Sequence, residues 1–200
     1  MNYLFLYKFL KSIVLKKYLV LYKPFLLFLG KFLLSYLLFT IVYECYLDKY
    51  DVKKFEVDGI TRSVAKQTKD ILLYFNYDAG IIPDSMEPGI KFFYKNIFIA
   101  RIIEGCNGIG IIILFSSFII AFSGKFKTTI LYIVGGSLLL HFLNMMRIAI
   151  LCVLLYYFPN QEPILHRVFF PLFIYSSVFI LWIIWIRKFS LYAKTSDTKS

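Results

Sequence analysis

Three side chains in this sequence are the best placed to do chemistry: a cysteine in a glycine-rich run, an arginine three residues after an asparagine, and a histidine that opens an apolar stretch. Cys106 lies in EGCNGIG, where Gly105, Gly108 and Gly110 leave the thiol and the neighbouring backbone N–H groups approachable. A thiolate there is a nucleophile. Arg147 sits in the apolar segment HFLNMMRIAIL, and a guanidinium in such surroundings implies an anionic group to meet. Asn144 falls on the same helical face and can orient it, while His166 supplies an imidazole able to take or give a proton near neutral pH. A thiol, a guanidinium and an imidazole brought to one level are what a nucleophilic site fed from the membrane would require. Each also has a plainer role: a buried small hydrophobe for the cysteine, a snorkelling interface residue for the arginine and a helix-end residue for the histidine.

The remaining candidates carry less. Cys45, in VYECYLD, has bulky neighbours, and Cys152 lies in the apolar run LCVLLYY, so both are assigned to packing. The cysteines show no CxxC spacing or histidine-rich partner, and no structural zinc site is expected. Neither a metal nor an organic cofactor is called for. His141 is the rival imidazole, to which a structural role deeper in the apolar layer is assigned. Glu104 is expected in a structural or solvated ion pair with Arg101 or Arg147.

The elements that must position these residues belong in lipid. Of 200 residues 60% are hydrophobic, and the mean hydropathy of +0.70 would force a soluble fold to expose large apolar patches. The net charge of +11 is gathered beside apolar runs rather than along a groove, which speaks for membrane topology signals and against nucleic-acid binding. The pattern predicts an all-α integral membrane protein of about four transmembrane helices, with an external loop of about 50 residues between the first and second. The expected segments are a basic amphipathic cytoplasmic lead-in over 1–23, spans over 24–47, 97–122 and 167–187, and a long span over 128–158 that must tilt, bend or re-enter. The external loop covers 48–96 and a cytoplasmic tail 188–200. Within the loop, DGITRSVAKQTKDILLYF reads as an amphipathic helix with Ile60, Val64, Ile71 and Phe75 on one face, and PDSMEPG as a turn. Basic residues flank the spans on one side, which is therefore the cytoplasmic side. Measured from that side along straight helices, Cys106, Arg147 and His166 reach about 25, 28 and 31 Å, near the outer interface, whereas His141 reaches about 20 Å.

The segments RIIEGCNGIGIIILF, HFLNMMRIAIL and LHRVFFPLFIYSSVFILWIIW resemble the exosortase and archaeosortase family, in order and in spacing. YKPFLLFLGKFLLSYLLF, DGITRSVAKQTK, FSGKFK and WIRKFSLYA extend the likeness to the short exosortase F branch. Asn107 stands where a serine often follows the family's cysteine, and the additional helices of larger members are lacking. The resemblance implies a catalytic set of Cys106, Arg147 and His166, supported by Asn144, Gly105, Asn107 and Gly108. It further implies a cysteine peptidase or transpeptidase in the bacterial cytoplasmic membrane with its site facing outward. Its partners would be exported proteins ending in a short motif, a transmembrane helix and a basic cluster. The alternatives are a non-catalytic assembly factor for surface protein or polysaccharide export, or a transport subunit lined by Arg147 and His141, although no inverted repeat is visible.

Overall fold

The computed structural model describes the backbone of residues 3–51, 54–122 and 124–189 and side chains from residue 21 onward; most of the expected cytoplasmic tail lies outside the described residues. Helix α1 (Tyr3–Leu47) carries Pro24 in its interior and includes the membrane-length stretch Leu21–Leu47. Part of the expected lead-in is thus continuous with the first span. Then come α2 (Gly59–Tyr74), strands β1 (Ala79–Pro83), β2 (Ile90–Tyr94) and β3 (Ile97–Ile102), and helices α3 (Ile109–Ala121), α4 (Phe126–Tyr157) and α5 (Pro159–Phe189). The last is one helical run containing π turns at Leu165–Phe169 and Trp185–Phe189.

The fold is mostly helical, but the segment between α1 and α3 also folds an antiparallel sheet of order β1-β2-β3, which the all-helical expectation lacked. The apolar run 97–122, expected as one span, divides: its first six residues pair with β2, and the helix starts only at Ile109. A strand half-buried on both faces reads as a continuous apolar run, so periodicity could not separate it from a membrane helix. Lys95 and Asn96, at φ +49° and +59°, form the two-residue turn between β2 and β3 that the right-handed twist of a hairpin favours. Lys95 Nζ lies over the rings of Tyr94, Tyr156 and Tyr157 at 5.6, 5.2 and 5.9 Å, which offsets the strain of a left-handed lysine.

Helix α2 begins where the Asp58 side chain accepts the Thr61 N–H at 2.9 Å, an N-cap that satisfies one of the free donors of the first turn. Its buried residues are Thr61, Val64, Ala65, Thr68 and Leu72. That face is rotated from the expected one: Val64 is inside, whereas Phe75 is exposed. The expected turn at PDSMEPG joins β1 to β2, closed by Asp84 N–H to the Gly89 carbonyl at 3.0 Å.

Among the described residues three helices are long and apolar enough to cross a bilayer, namely α1 over Leu21–Leu47, α4 and α5. The 13 residues of α3 rise only about 20 Å, short of the roughly 30 Å of a hydrocarbon core. It lies among the other three: Phe28 of α1 meets Phe118 and Phe122, Phe118 stacks on Trp182 of α5 at 4.0 Å, and the Phe115 ring presses on α4 at Gly136, where any side chain would collide. At about 48 Å, α4 is longer than one crossing. It stays a single helix, and the surplus length serves as a pillar. Ile148, Ala149 and Cys152 share a core with Val57, Val64, Ala65, Leu72 and Phe92 of the loop domain. Outward-facing Leu34, Leu37, Ile41, Leu138, Phe179 and Ile180 stay exposed, as side chains that meet lipid do.

Candidate active site

The chain leaves β3 at Ile102 and reaches α3 at Ile109 through a tight turn, Glu104–Cys106, with Cys106 N–H bonded to the Ile103 carbonyl at 2.9 Å and Asn107 N–H to the Glu104 carbonyl at 3.0 Å. Gly108 then takes φ +83°, ψ 0°, a left-handed conformation that costs a side-chain-bearing residue about 1–2 kcal/mol. A Cβ there would also come within 3.0 to 3.4 Å of the Asn144 side chain. Cys106 itself is half-buried between these two structural demands.

Two asparagines fix this loop from opposite sides. Asn107, 1% exposed, donates its amide to the Tyr43 hydroxyl at 2.7 Å and the Thr61 hydroxyl at 3.2 Å, and accepts the Ile109 N–H at 2.9 Å. The Tyr43 hydroxyl donates in turn to Glu104 Oε1 at 2.7 Å. The loop is thereby tied to α1, α2 and the start of α3. On the other side Asn144, 2% exposed, donates to the Cys106 carbonyl at 2.8 Å and accepts from Arg147 Nη1 at 3.4 Å. The guanidinium lies close enough to Cys106 and to Tyr175 to interact with both electrostatically. Arg147 Nε is buried without a hydrogen-bond partner. No carboxylate pairs with Arg147 among the described residues, so donor capacity remains for an oxygen that arrives with a ligand.

Arg147 opens onto a cavity of about 410 Å³ whose walls include Gly105, Gly108, Gly110, Tyr36, Pro171 and Tyr175. Cys106, Asn107, Gly105, Gly108, Asn144 and Arg147 are therefore gathered at one place. His166 is not part of the bonded cluster. It is exposed in the π turn of α5 and makes no hydrogen bond to Cys106 or Arg147. The α5 residues that share the cavity begin at Pro171, about 7.5 Å further along the helix axis. The expected depths hold for straight α-helices, whereas α3 begins only at Ile109, leaving Cys106 in a turn beyond its end, and α5 carries π turns at Leu165–Phe169 and Trp185–Phe189.

The other candidates resolve simply. His141 Nε2 pairs with Gln67 Oε1 of α2 at 2.8 Å. Cys152 is buried, as its assignment to packing expects, whereas Cys45 is exposed and that assignment does not hold for it. Arg101 pairs with Asp84 at 2.8 Å and with Glu87, leaving Glu104 to Tyr43 rather than to an arginine. Tyr43, Thr61 and Tyr175 are site residues that the sequence did not disclose: Thr61 and Tyr175 lie in segments that resemble the family, but nothing in those segments singles out these side chains. No cluster of three or more His, Cys, Asp or Glu able to hold a metal ion occurs among the described residues.

A half-buried thiol beside a guanidinium with a free donor, held by buried amides on a loop between strand and helix, is an arrangement suited to attack on a carbonyl. The family model described as transmembrane exosortase (Exosortase_EpsH) matches residues 13–186, and so spans every element that forms the site. No curated protein and no solved structure matches the chain. With three membrane-length apolar helices among its described residues and a family match over residues 13–186, this multi-pass membrane protein belongs to the transmembrane exosortase family.

Proposed function

We propose that the chain is a membrane-embedded cysteine peptidase or transpeptidase that cuts the C-terminal sorting tails of exported proteins at the outer face of the cytoplasmic membrane. The observation that carries this reading is the bonded path from Cys106 through Asn144 to Arg147 at the mouth of a cavity, in a chain of the exosortase family. Within that family the chain resembles the short exosortase F branch. His166 takes the Cys106 proton, and the thiolate attacks the scissile carbonyl carbon. The carbonyl oxygen gains the negative charge, which the free donors of Arg147 meet. As the C–N bond breaks, the leaving amine collects the proton from His166, and the N-terminal part of the substrate remains as a thioester on Cys106. Water or an amine then attacks the thioester, passes a proton to His166 and releases the thiolate. His166 is exposed on α5 and unbonded to Cys106, so this role requires it to come within proton-transfer reach of the thiol once a tail is seated.

Hydroxylamine tests the covalent step, since it competes with the natural acceptor for a thioester but does not cut a peptide bond at neutral pH. Membranes holding this chain and a protein with a sorting tail should yield, with hydroxylamine, a product whose new C-terminus is a hydroxamate by mass spectrometry. Cleavage that gives a free carboxylate alone, at every hydroxylamine concentration, would overturn the acyl-enzyme.

A further inference from the structure

β3 is the last strand of its sheet, and the chain passes from its end at Ile102 to Cys106 in four residues. One edge of β3 pairs with β2. Along the other no strand is laid among the described residues, and among them no backbone hydrogen bond outside the sheet reaches residues 97–102. A strand turns its N–H and C=O groups to both edges, so β3 presents a row of them without partners. Of the usual guards of such an edge only a bulge, at Ile99, is present: IFIARI holds no proline, and its one charge, Arg101, is committed to Asp84 and Glu87. β1, the opposite edge, ends in Pro83 and leads to the turn at Asp84 rather than to the thiol. Ile97, Phe98 and Ile99 line a groove of about 290 Å³ whose far wall includes Leu155, Tyr156 and Pro159, where α4 gives way to α5. Successive strand residues point to opposite faces, so a groove that touches three in a row runs along the edge. From there β3 descends along α4. Ile97 shares the groove with Tyr156, Ile102 shares a core with Ile148, Ala149 and Cys152, and the Cys106 carbonyl meets Asn144. From Tyr156 to Asn144 the drop is about 18 Å. Between Ile97 and Gly105 only Ile102 is buried, so an accessible strip leads down to the half-buried Cys106.

We propose that the free edge of β3 takes the stretch of substrate polypeptide just ahead of the cut as an added parallel strand, bonded backbone to backbone, and so delivers the scissile carbonyl to Cys106. The proposal rests on the peptidase reading above and supplies its docking surface. Direction follows from topology. With the loop domain outside, as the positive-inside rule predicts, Asn144 is the membrane end of the descent and Tyr156 the outer end. A peptide whose next segment is a transmembrane helix runs from N to C toward the bilayer, as β3 does. An added strand lies about 4.8 Å from its neighbour and advances about 3.3 Å per residue, so about five residues cover the drop. Backbone bonds carry the affinity, and the groove at Ile97–Ile99 selects by shape the side chain that reaches it. The same seating brings the peptide beside the turn of α5 that carries His166, since Leu165 packs in one small core with Ile99, Leu155 and Phe170.

The test uses the full chain in membranes with a reporter that carries the sorting tail of an exported protein. In a Cys45→Ala, Cys106→Ala background, which keeps the tail uncut, the exposed Phe98 and Ile103 are changed singly, Phe98→Cys or Ile103→Cys. Each chain is oxidised with copper phenanthroline against reporters bearing one cysteine at successive positions ahead of the cut. Ile103→Cys should form its strongest disulfide near the cut and Phe98→Cys about four residues further from it, the order of a parallel strand opposite a bulge. With the wild-type chain, proline at successive reporter positions should slow cutting roughly tenfold at every second residue, because only those N–H groups face β3. Disulfides in the reverse order, disulfides only between two copies of the chain, no disulfide at all, or a proline profile without alternation would overturn the added strand. Normal cutting by Cys106→Ala would overturn the peptidase reading itself, so the two failures are distinguishable.

Discussion

Asn144 and Asn107 do at the residue scale what neither the thiol nor the guanidinium can do for itself: both are almost fully buried, Asn144 donating to the Cys106 carbonyl and Asn107 tying the loop to Tyr43 and Thr61. Removing Asn144 leaves the Cys106 carbonyl and an Arg147 donor without their partner, so Asn144→Ala should slow tail cleavage by roughly tenfold to a hundredfold while expression stays near normal. Gly108→Ala combines left-handed strain of about 1–2 kcal/mol with a clash against the same side chain, and cleavage and thermal stability should fall together in membrane extracts. Arg147→Lys should also lose activity, because a single ammonium cannot reproduce a planar fork whose donors serve Asn144 and a developing oxyanion. His141 is engaged with Gln67, so His141→Ala should keep more cleavage than His166→Ala; the reverse ranking would reassign the base. Cys106, Asn144 and Arg147 were legible because glycines flank the thiol and because residues three apart share a helical face. Tyr43 and Thr61 were not, since nothing in the order of residues tells which hydroxyls a fold will bring to Asn107.

Among elements, the loop domain shows what periodicity misses. IFIARI reads equally as the start of a membrane helix or as a strand, and only its pairing with β2 decides. The lock on that sheet is Asp84, whose buried carboxylate meets Lys91 of β2 at 3.1 Å and Arg101 of β3 at 2.8 Å. The Met86 N–H first, then Lys91 and Arg101, hold its carboxyl below the usual carboxylate range. A group with a depressed folded pKa contributes stability above its unfolded value, near pH 3.9 for aspartate, and that contribution is lost as pH falls through the folded value. Asp84→Asn should therefore lower the thermal midpoint of the detergent-solubilised protein at neutral pH. The gap to wild type should begin to narrow below about pH 4 and close only as pH falls through the lower folded value. A gap that stayed constant well below about pH 4, while the protein stays folded, would mean that the lock is not ionic. PDSMEPG was legible as the turn that holds Asp84 because Pro, Asp and Gly are turn formers for physical reasons.

For the whole molecule, basic residues lie beside the ends of the apolar runs while the loop domain balances its charge, a distribution from which the positive-inside rule predicts an external loop domain. Reporter fusions after Lys125 should behave as cytoplasmic and one at Asp70 as external; a cytoplasmic signal at Asp70 would move the site to the wrong face of the membrane. The long α4 unites the two halves of this architecture, since its inner part packs against α3 through Leu140 and its outer part holds α2 and the sheet through Ile148 and Cys152. The sequence disclosed α4 as too long for one crossing, but not that the surplus would be buried under the loop domain, which depends on contacts between distant segments. The account turns on Cys106 as the nucleophile, and the most direct measurement is cleavage of a tailed exported protein by well-expressed single-cysteine variants, with levels checked by blotting. Cys106→Ala should leave the precursor uncut in the membrane and Cys106→Ser should be severely slowed, while Cys45→Ala and Cys152→Ala cut nearly as wild type does. Precursor processed at the normal rate by Cys106→Ala would contradict the account.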